Sequence, residues 1–236
     1  MKRRTFLASA SAAAVSACTA SPPPVQRRVP VEAIAPPAPP PPPMPAHYGA
    51  MPDEPYPVPA IPAGVVPEHL WRQEAANPFP EQPEGAIVVD PDAANLHLIM
   101  GNGRAMRYGV SVGAAGFGWD GQAVIQYGRK WPRWKVPAEM IARQPQFEPY
   151  SVENGGMAPG PGNPLGARAL YLFQDDVDTL YRIHGGCEPE YLGQAVSSGC
   201  IRMLDHDVID LYERVPWGTP VTVLHSVKPA RLVSLY

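Results

Sequence analysis

Ala86 to Val112 reads AIVVDPDAANLHLIMGNGRAMRYGVSV. Three β-rich runs, Ala86 to Asp90, Leu96 to Met100 and Arg104 to Val112, are punctuated by Pro91-Asp92 and Gly101-Asn102-Gly103. The second break suits a hairpin, because Asn and Gly accept the positive φ of a tight turn. Further strands are expected at Val124 to Gly128, Ala169 to Phe173, Leu180 to His184 and Pro220 to His225. Two helices fit the remainder. Pro137 to Arg143 has proline at its first position. Val208 to Val215 sets Val208, Leu211, Tyr212 and Val215 on one face, with Asp205 or Asp207 available as a cap. Many short strands with one or two short helices predict a mainly β fold, a β-sandwich or open barrel.

Composition locates this domain within the chain. The sequence has 236 residues, with 33 prolines and 17% charged residues. Of those prolines, 21 lie between Ser21 and Pro83, so residues 21–84 read as a Pro-rich disordered tether, extended by polyproline II stretches. Within it, His69, Leu70 and Trp71 are candidates to pack on the domain edge. The domain itself is expected over 85–226, followed by a short tail, 227–236. A net charge of −3 excludes a basic nucleic-acid footprint. No run of 18 apolar residues is present to form a spanning helix.

Residues 1–20, MKRRTFLASASAAAVSACTA, have a basic start and a short, weakly apolar stretch, as an export signal does. Arg3-Arg4-Thr5-Phe6-Leu7 resembles a twin-arginine signal, and an ordinary Sec signal is the alternative. Val15-Ser16-Ala17-Cys18 resembles a lipobox, which implies cleavage before Cys18, acylation of Cys18 and membrane anchoring through it. The expected location is exported, in the periplasm or cell envelope.

Cys187 and Cys200 remain. A disulfide between them is one reading in an oxidising compartment. A zinc site is another, since His184, Cys187, Cys200 and His206 have ligand-like spacing. The third reading is catalytic. His184 ends a strand-like run, and Ser197-Ser198-Gly199-Cys200-Ile201-Arg202 follows, with Cys200 sixteen residues after His184. A thiol attacks only as thiolate, so Cys200 needs an imidazole to take its proton. Gly199 leaves the backbone room to turn, and the N–H groups of Ser198, Gly199 and Cys200 could converge on an oxyanion.

His184-Gly185, the sixteen-residue step and Ser197-x-Gly199-Cys200-Ile201-Arg202 resemble the signature of the L,D-transpeptidase catalytic (YkuD-like) domain. Asn163-Pro164-Leu165-Gly166, Gly193-Gln194-Ala195-Val196 and Val215-Pro216-x-Gly218-Thr219-Pro220-Val221 add to the resemblance, which covers Gly85 to about His225. It implies a fold of that type, Cys200 as nucleophile, His184 as base and then acid, and the Gly185 carbonyl as the group orienting the imidazole. Ser198 stands where many members carry His. Arg202, with Ser197, would support the loop or meet a substrate carboxylate. The implied partners are peptidoglycan stem peptides, with a protein as a further possible acyl acceptor. The implied reaction cleaves the diaminopimelate–D-Ala bond through a thioester and passes the acyl group to an amine, without metal or organic cofactor. The alternatives are an L,D-carboxypeptidase and a non-catalytic, tethered wall-binding lipoprotein in which Cys187 locks Cys200. Gly155 to Gly166, GGMAPGPGNPLG, reads as a flexible rim or lid, and Trp119, Tyr127, Trp131, Trp134 and Tyr150 as groove-lining candidates.

Overall fold

The apolar runs of the sequence pair as strands. A computed structural model describes residues 40, 42–113, 119–197 and 199–227. The expected export segment with Cys18, the spacer through residue 39, Ser198 and the tail from 228 lie outside the described residues. Eleven strands occur among those described: β1 (Gln73–Ala76), β2 (Ile87–Asp90), β3 (Asn95–Ile99), β4 (Arg104–Gly109), β5 (Val112–Gly113), β6 (Gly121–Lys130), β7 (Arg168–Gln174), β8 (Val177–His184), β9 (Ala195–Ser197), β10 (Ile201–Arg202) and β11 (Pro220–Val223). The α-helices are α1 (Ala138–Arg143) and α2 (Asp205–Arg214). The fold is mainly β, as the strand pattern predicts.

Nine strands form one sheet in the order β1-β4-β3-β2-β11-β6-β7-β8-β10, and β5 pairs with β9. The β3–β4 hairpin turns at Asn102 (φ 60°) and Gly103 (φ 69°), the conformation that this Asn-Gly pair tolerates. The sheet curls on itself. Ser111, just past β4, exchanges two 2.8 Å backbone hydrogen bonds with Arg202 on β10, at the far end of the strand order. Leu96 and Tyr108 from one end therefore share a core with Leu170, Ile183 and Ile201 from the other. α2 closes that core with Val208 and Leu211. This is an open barrel rather than a flat sheet.

The tether expected over 21–84 does not hold for its second half. The compact unit begins at Pro40. Tyr48, Val66 and Leu70 are each no more than 3% exposed and pack with Cys187, Leu192 and Leu204. Proline richness keeps this segment extended, but its large apolar side chains still find a surface to cover. Tyr48 also makes buried polar contacts: its hydroxyl accepts the Arg72 N–H at 2.7 Å and donates to Asp207 at 3.1 Å. Removing a fully buried aromatic side chain costs about 3 kcal/mol or more. Tyr48→Ala is accordingly expected to lower the urea midpoint clearly, whereas a spacer residue would leave it unchanged.

Candidate active site

The site is built where β8 and β10 run side by side. They are parallel, with Ile183 opposite Ile201 and His184 opposite Arg202. Alternation sends Ile183 and Ile201 into the core and puts His184 and Arg202 on the other face. Cys200 immediately precedes β10, so continuing this register by one residue sets it diagonally across from His184. The strand ends are fixed by backbone bonds: Met203 N–H to His184 O at 2.8 Å, Cys187 N–H to Met203 O at 3.1 Å and Gly185 N–H to Arg168 O at 3.0 Å.

His184 is 3% exposed. Its Nδ1 lies 2.8 Å from the Gly185 carbonyl oxygen. A carbonyl only accepts, so Nδ1 carries the proton and Nε2 is left with its lone pair in the neutral ring. Burial pushes the imidazole down to about 3, helped by the Arg202 guanidinium and opposed by the Gly185 and Pro164 carbonyls that face the ring. Burial also pushes the Cys200 thiol up, while a hydrogen bond from the Arg182 backbone and the charges of Arg182 and Arg202 pull it down. The resting pair is therefore neutral thiol and neutral imidazole, an arrangement for general-base activation rather than a standing ion pair.

Of the expected oxyanion donors, Ser198 lies outside the described residues; Ser197, expected to support the loop, is described in its backbone only, in β9. Gly199 is buried with φ 132°, a turn that a side chain would strain. Beyond Cys200, Tyr181 stacks on Trp119 at 5.9 Å, and burial together with Cys200 raises its phenol.

The other cysteine reads differently in place. No Cys187–Cys200 disulfide is formed. The Cys187 sulfur sits 3.5 Å from Ser111 Oγ and 3.5 Å from the Glu188 carbonyl, and burial pushes its thiol up to about 11. His206 is not brought to the cysteines. Its Nε2 lies 2.9 Å from the Gly49 carbonyl, so the four residues with zinc-like spacing do not converge.

Asp205 is a site residue that sequence reasoning assigns elsewhere. It was a candidate helix cap, yet α2 begins at Asp205 without a side-chain cap bond. Its Oδ1 instead accepts the N–H groups of Ala167 and Gly186, at 2.8 and 3.0 Å, and so holds the loop after His184 against the start of β7. Asp205→Ala is expected to cost about 3 kcal/mol, because two backbone donors lose their acceptor. Asp205→Asn, which keeps an oxygen, should recover most of it, as measured by chemical denaturation.

A cavity of about 510 Å³ is bordered by the loop that follows His184, although neither His184 nor Cys200 lines it. Its walls include Trp131, Gly160 to Pro164, Gly186 to Pro189, Arg202 and Asp205, together with Tyr56 to Pro59 from the segment before the barrel. Part of the Gly-rich run, Gly160 to Pro164, thus forms one rim of this cavity. It is held by Asn163, whose Nδ2 donates to the Pro132 and Ala158 carbonyls at 3.0 and 2.9 Å. Among the five aromatic groove candidates, Trp131 lines this cavity. Tyr127 stacks on Tyr171, and Trp134 packs with Phe147 and Tyr150.

A model of the family described as the L,D-transpeptidase catalytic domain matches residues 84–223. YqjB of Bacillus subtilis, named as an L,D-transpeptidase, is 30% identical over 148 residues, which is 62% of this chain and 74% of that protein. YkuD of the same organism, named likewise, is 49% identical over 63 residues, 27% of this chain and 36% of its own length. A solved Brucella melitensis structure, described as a carnitine operon oxidoreductase, is 44% identical and covers 67% of this chain and 95% of that one, with a TM-score of 0.46. That description belongs to the Brucella protein.

Proposed function

Because the chain belongs to the L,D-transpeptidase catalytic-domain family, we propose that it processes peptidoglycan stem peptides through a thioester on Cys200. The observation that carries this reading is the strand register that sets His184 diagonally across from Cys200, with Nδ1 tied to the Gly185 carbonyl. His184 Nε2 takes the thiol proton as Cys200 Sγ attacks the diaminopimelate carbonyl of a tetrapeptide. The resulting oxyanion is met by the N–H groups of Ser198, Gly199 and Cys200, each worth about 3 kcal/mol in the transition state. Collapse breaks the C–N bond. His184 passes its proton to the departing D-Ala nitrogen, which leaves a thioester and a neutral imidazole.

In the second half, an amine attacks the thioester carbon and yields a proton to His184. The C–S bond breaks, and the sulfur regains the proton from the imidazole. An amine from another stem's diaminopimelate gives a 3–3 cross-link, a protein amine gives a covalent attachment, and water gives the carboxypeptidase product. In this reading Arg202 meets a substrate carboxylate or supports the loop. The export segment and an acylated Cys18 belong to the same reading, which holds the enzyme in the cell envelope.

The test is intact mass of the purified enzyme after brief exposure to disaccharide-tetrapeptide. An adduct of the stem acyl group less D-Ala, mapped to Cys200, is expected. Its absence, with no D-Ala released over hours, overturns the assignment.

A further inference from the structure

The carbonyl that orients the imidazole sits between two glycines. His184 Nδ1 meets the Gly185 carbonyl at 2.8 Å. The plane of the Gly185–Gly186 peptide is set by ψ of one glycine and φ of the next, the torsions that sterics restrain least. The Gly185 N–H, bound to the Arg168 carbonyl at 3.0 Å, belongs to the preceding peptide and does not fix this one. A bond on the far edge of the same unit does: the Gly186 N–H donates to Asp205 Oδ1 at 3.0 Å. In a planar trans peptide the N–H and C=O point opposite ways. A carboxylate that captures the Gly186 N–H therefore aims the Gly185 carbonyl at the ring.

The carboxylate is itself well placed to hold still. Asp205 is the first residue of α2, which is seated in the core by Val208 and Leu211. Its Oδ1 also accepts the Ala167 N–H at 2.8 Å. A Cβ on Gly166 or on Gly185 would collide with that oxygen, so glycine at both places leaves the gap it occupies.

We infer that Asp205 is a positioning residue for the base: through the Gly185–Gly186 peptide it keeps His184 in the Nδ1–H tautomer, which leaves Nε2 free to take the Cys200 proton. The inference rests on the thioester reading of Cys200, in which His184 is that base. Without the bond to Gly186 the carbonyl is free to swing away, and a neutral imidazole that has lost this acceptor populates both tautomers. The Nε2–H form carries its lone pair on the wrong nitrogen. The link also serves the charged ring. As His184 becomes imidazolium its Nδ1–H bond strengthens, and the polarised peptide strengthens the bond to Asp205 in turn. No proton moves along this chain. Nδ1 keeps its proton throughout, and Asp205 only accepts.

The test joins a spectroscopic readout to a kinetic one, both taken well below the melting midpoint. The first is ¹⁵N NMR of histidine-labelled enzyme near pH 7, where burial keeps the His184 ring neutral. Its signals are assigned by their loss in His184→Gln. Wild type is expected to show the Nδ1–H tautomer alone, and Asp205→Ala a mixture of the two. The second readout is the pre-steady-state release of D-Ala from a stem tetrapeptide. In Asp205→Ala its rate constant should fall about 10²-fold, as for a base displaced from its working geometry, with KM within about twofold of wild type. Asp205→Asn, whose side-chain oxygen still accepts the Gly186 N–H, should restore the tautomer and bring the rate within about threefold of wild type. Should Asp205→Ala fail to fold, Asp205→Ser carries the same expectations, because its hydroxyl is one bond short of Oδ1 and suits a helix start. A pure Nδ1–H tautomer and a wild-type rate in the folded Ala or Ser variant, with only the denaturation midpoint lowered, overturn the inference and leave the thioester chemistry standing. A wild-type enzyme that releases no D-Ala overturns the thioester reading instead, and the tautomer signals alone then decide whether Asp205 positions the ring.

Discussion

Cys200→Ala is expected to lower D-Ala release from a stem tetrapeptide by at least about 10⁴-fold, because removing a covalent nucleophile leaves only binding and oxyanion contacts to assist water. The fold should survive. Cys200 is partly exposed, whereas its neighbour Ile201 fills the core and the Arg202 backbone carries the bonds that close the barrel. The thermal midpoint of the variant is therefore expected to match wild type while activity vanishes. Cys187→Ala should show the reverse pattern. Its thiol is buried and pushed up to about 11, so it is a poor nucleophile, and its loss opens space beneath Leu70 and Leu192. That variant should melt earlier yet still form the acyl adduct on Cys200. Full turnover by Cys200→Ala would remove the sulfur from the mechanism altogether.

The contrast between the two cysteines shows what a sequence can and cannot carry. The step from His184 to Cys200 is legible because His184 ends a recognisable strand-like run, which folds as β8, and because Ser197-x-Gly199-Cys200-Ile201-Arg202 resembles a family signature at the right distance after it. Asp205 is not legible in the same way. A carboxylate at the start of an amphipathic helix reads as a cap, and only the folded chain shows that its acceptors are needed by Ala167 and Gly186, remote in sequence. β1 escapes notice for a different reason: Gln73–Ala76 is a largely exposed edge strand with no apolar alternation to reveal it. β10 has two residues, too few for any period.

The segment 42–84 is the largest departure. Its anchoring side chains, Tyr48, Val58, Val66 and Leu70, fall at irregular intervals among prolines, so neither a helical nor a strand period appears. Periodicity reports faces of regular elements, and this segment has few. What holds it is a set of single insertions and ion pairs, such as Glu54 to Arg168, that only the tertiary structure brings together.

The pH dependence of activity follows from the neutral resting pair and separates it from an ion-pair mechanism. With His184 depressed to about 3 and Cys200 raised, thiol and neutral imidazole coexist across the whole middle of the scale. The pH profile of kcat/KM should therefore be flat from roughly pH 5 to 8, whereas a thiolate–imidazolium pair would show limbs within that range. Stability behaves differently. His184 titrates at 6.5 when unfolded and well below that when folded, so between those values the unfolded chain binds more protons. Folding stability from this group is complete above the unfolded value and is lost as pH falls, by up to about 1.4 kcal/mol per unit. Asp207, raised to about 7 by burial, acts in the opposite direction and gains stability on acidification. Comparison of wild type with His184→Gln cancels the Asp207 contribution. The variant should lose about 10³-fold in kcat, as expected for removal of a general base, and its denaturation free energy should fall less steeply than that of wild type below pH 6. An acid limb in wild-type kcat/KM between pH 6 and 7, at constant stability, would mean that the imidazole is charged in the working enzyme and that the neutral-pair mechanism is wrong.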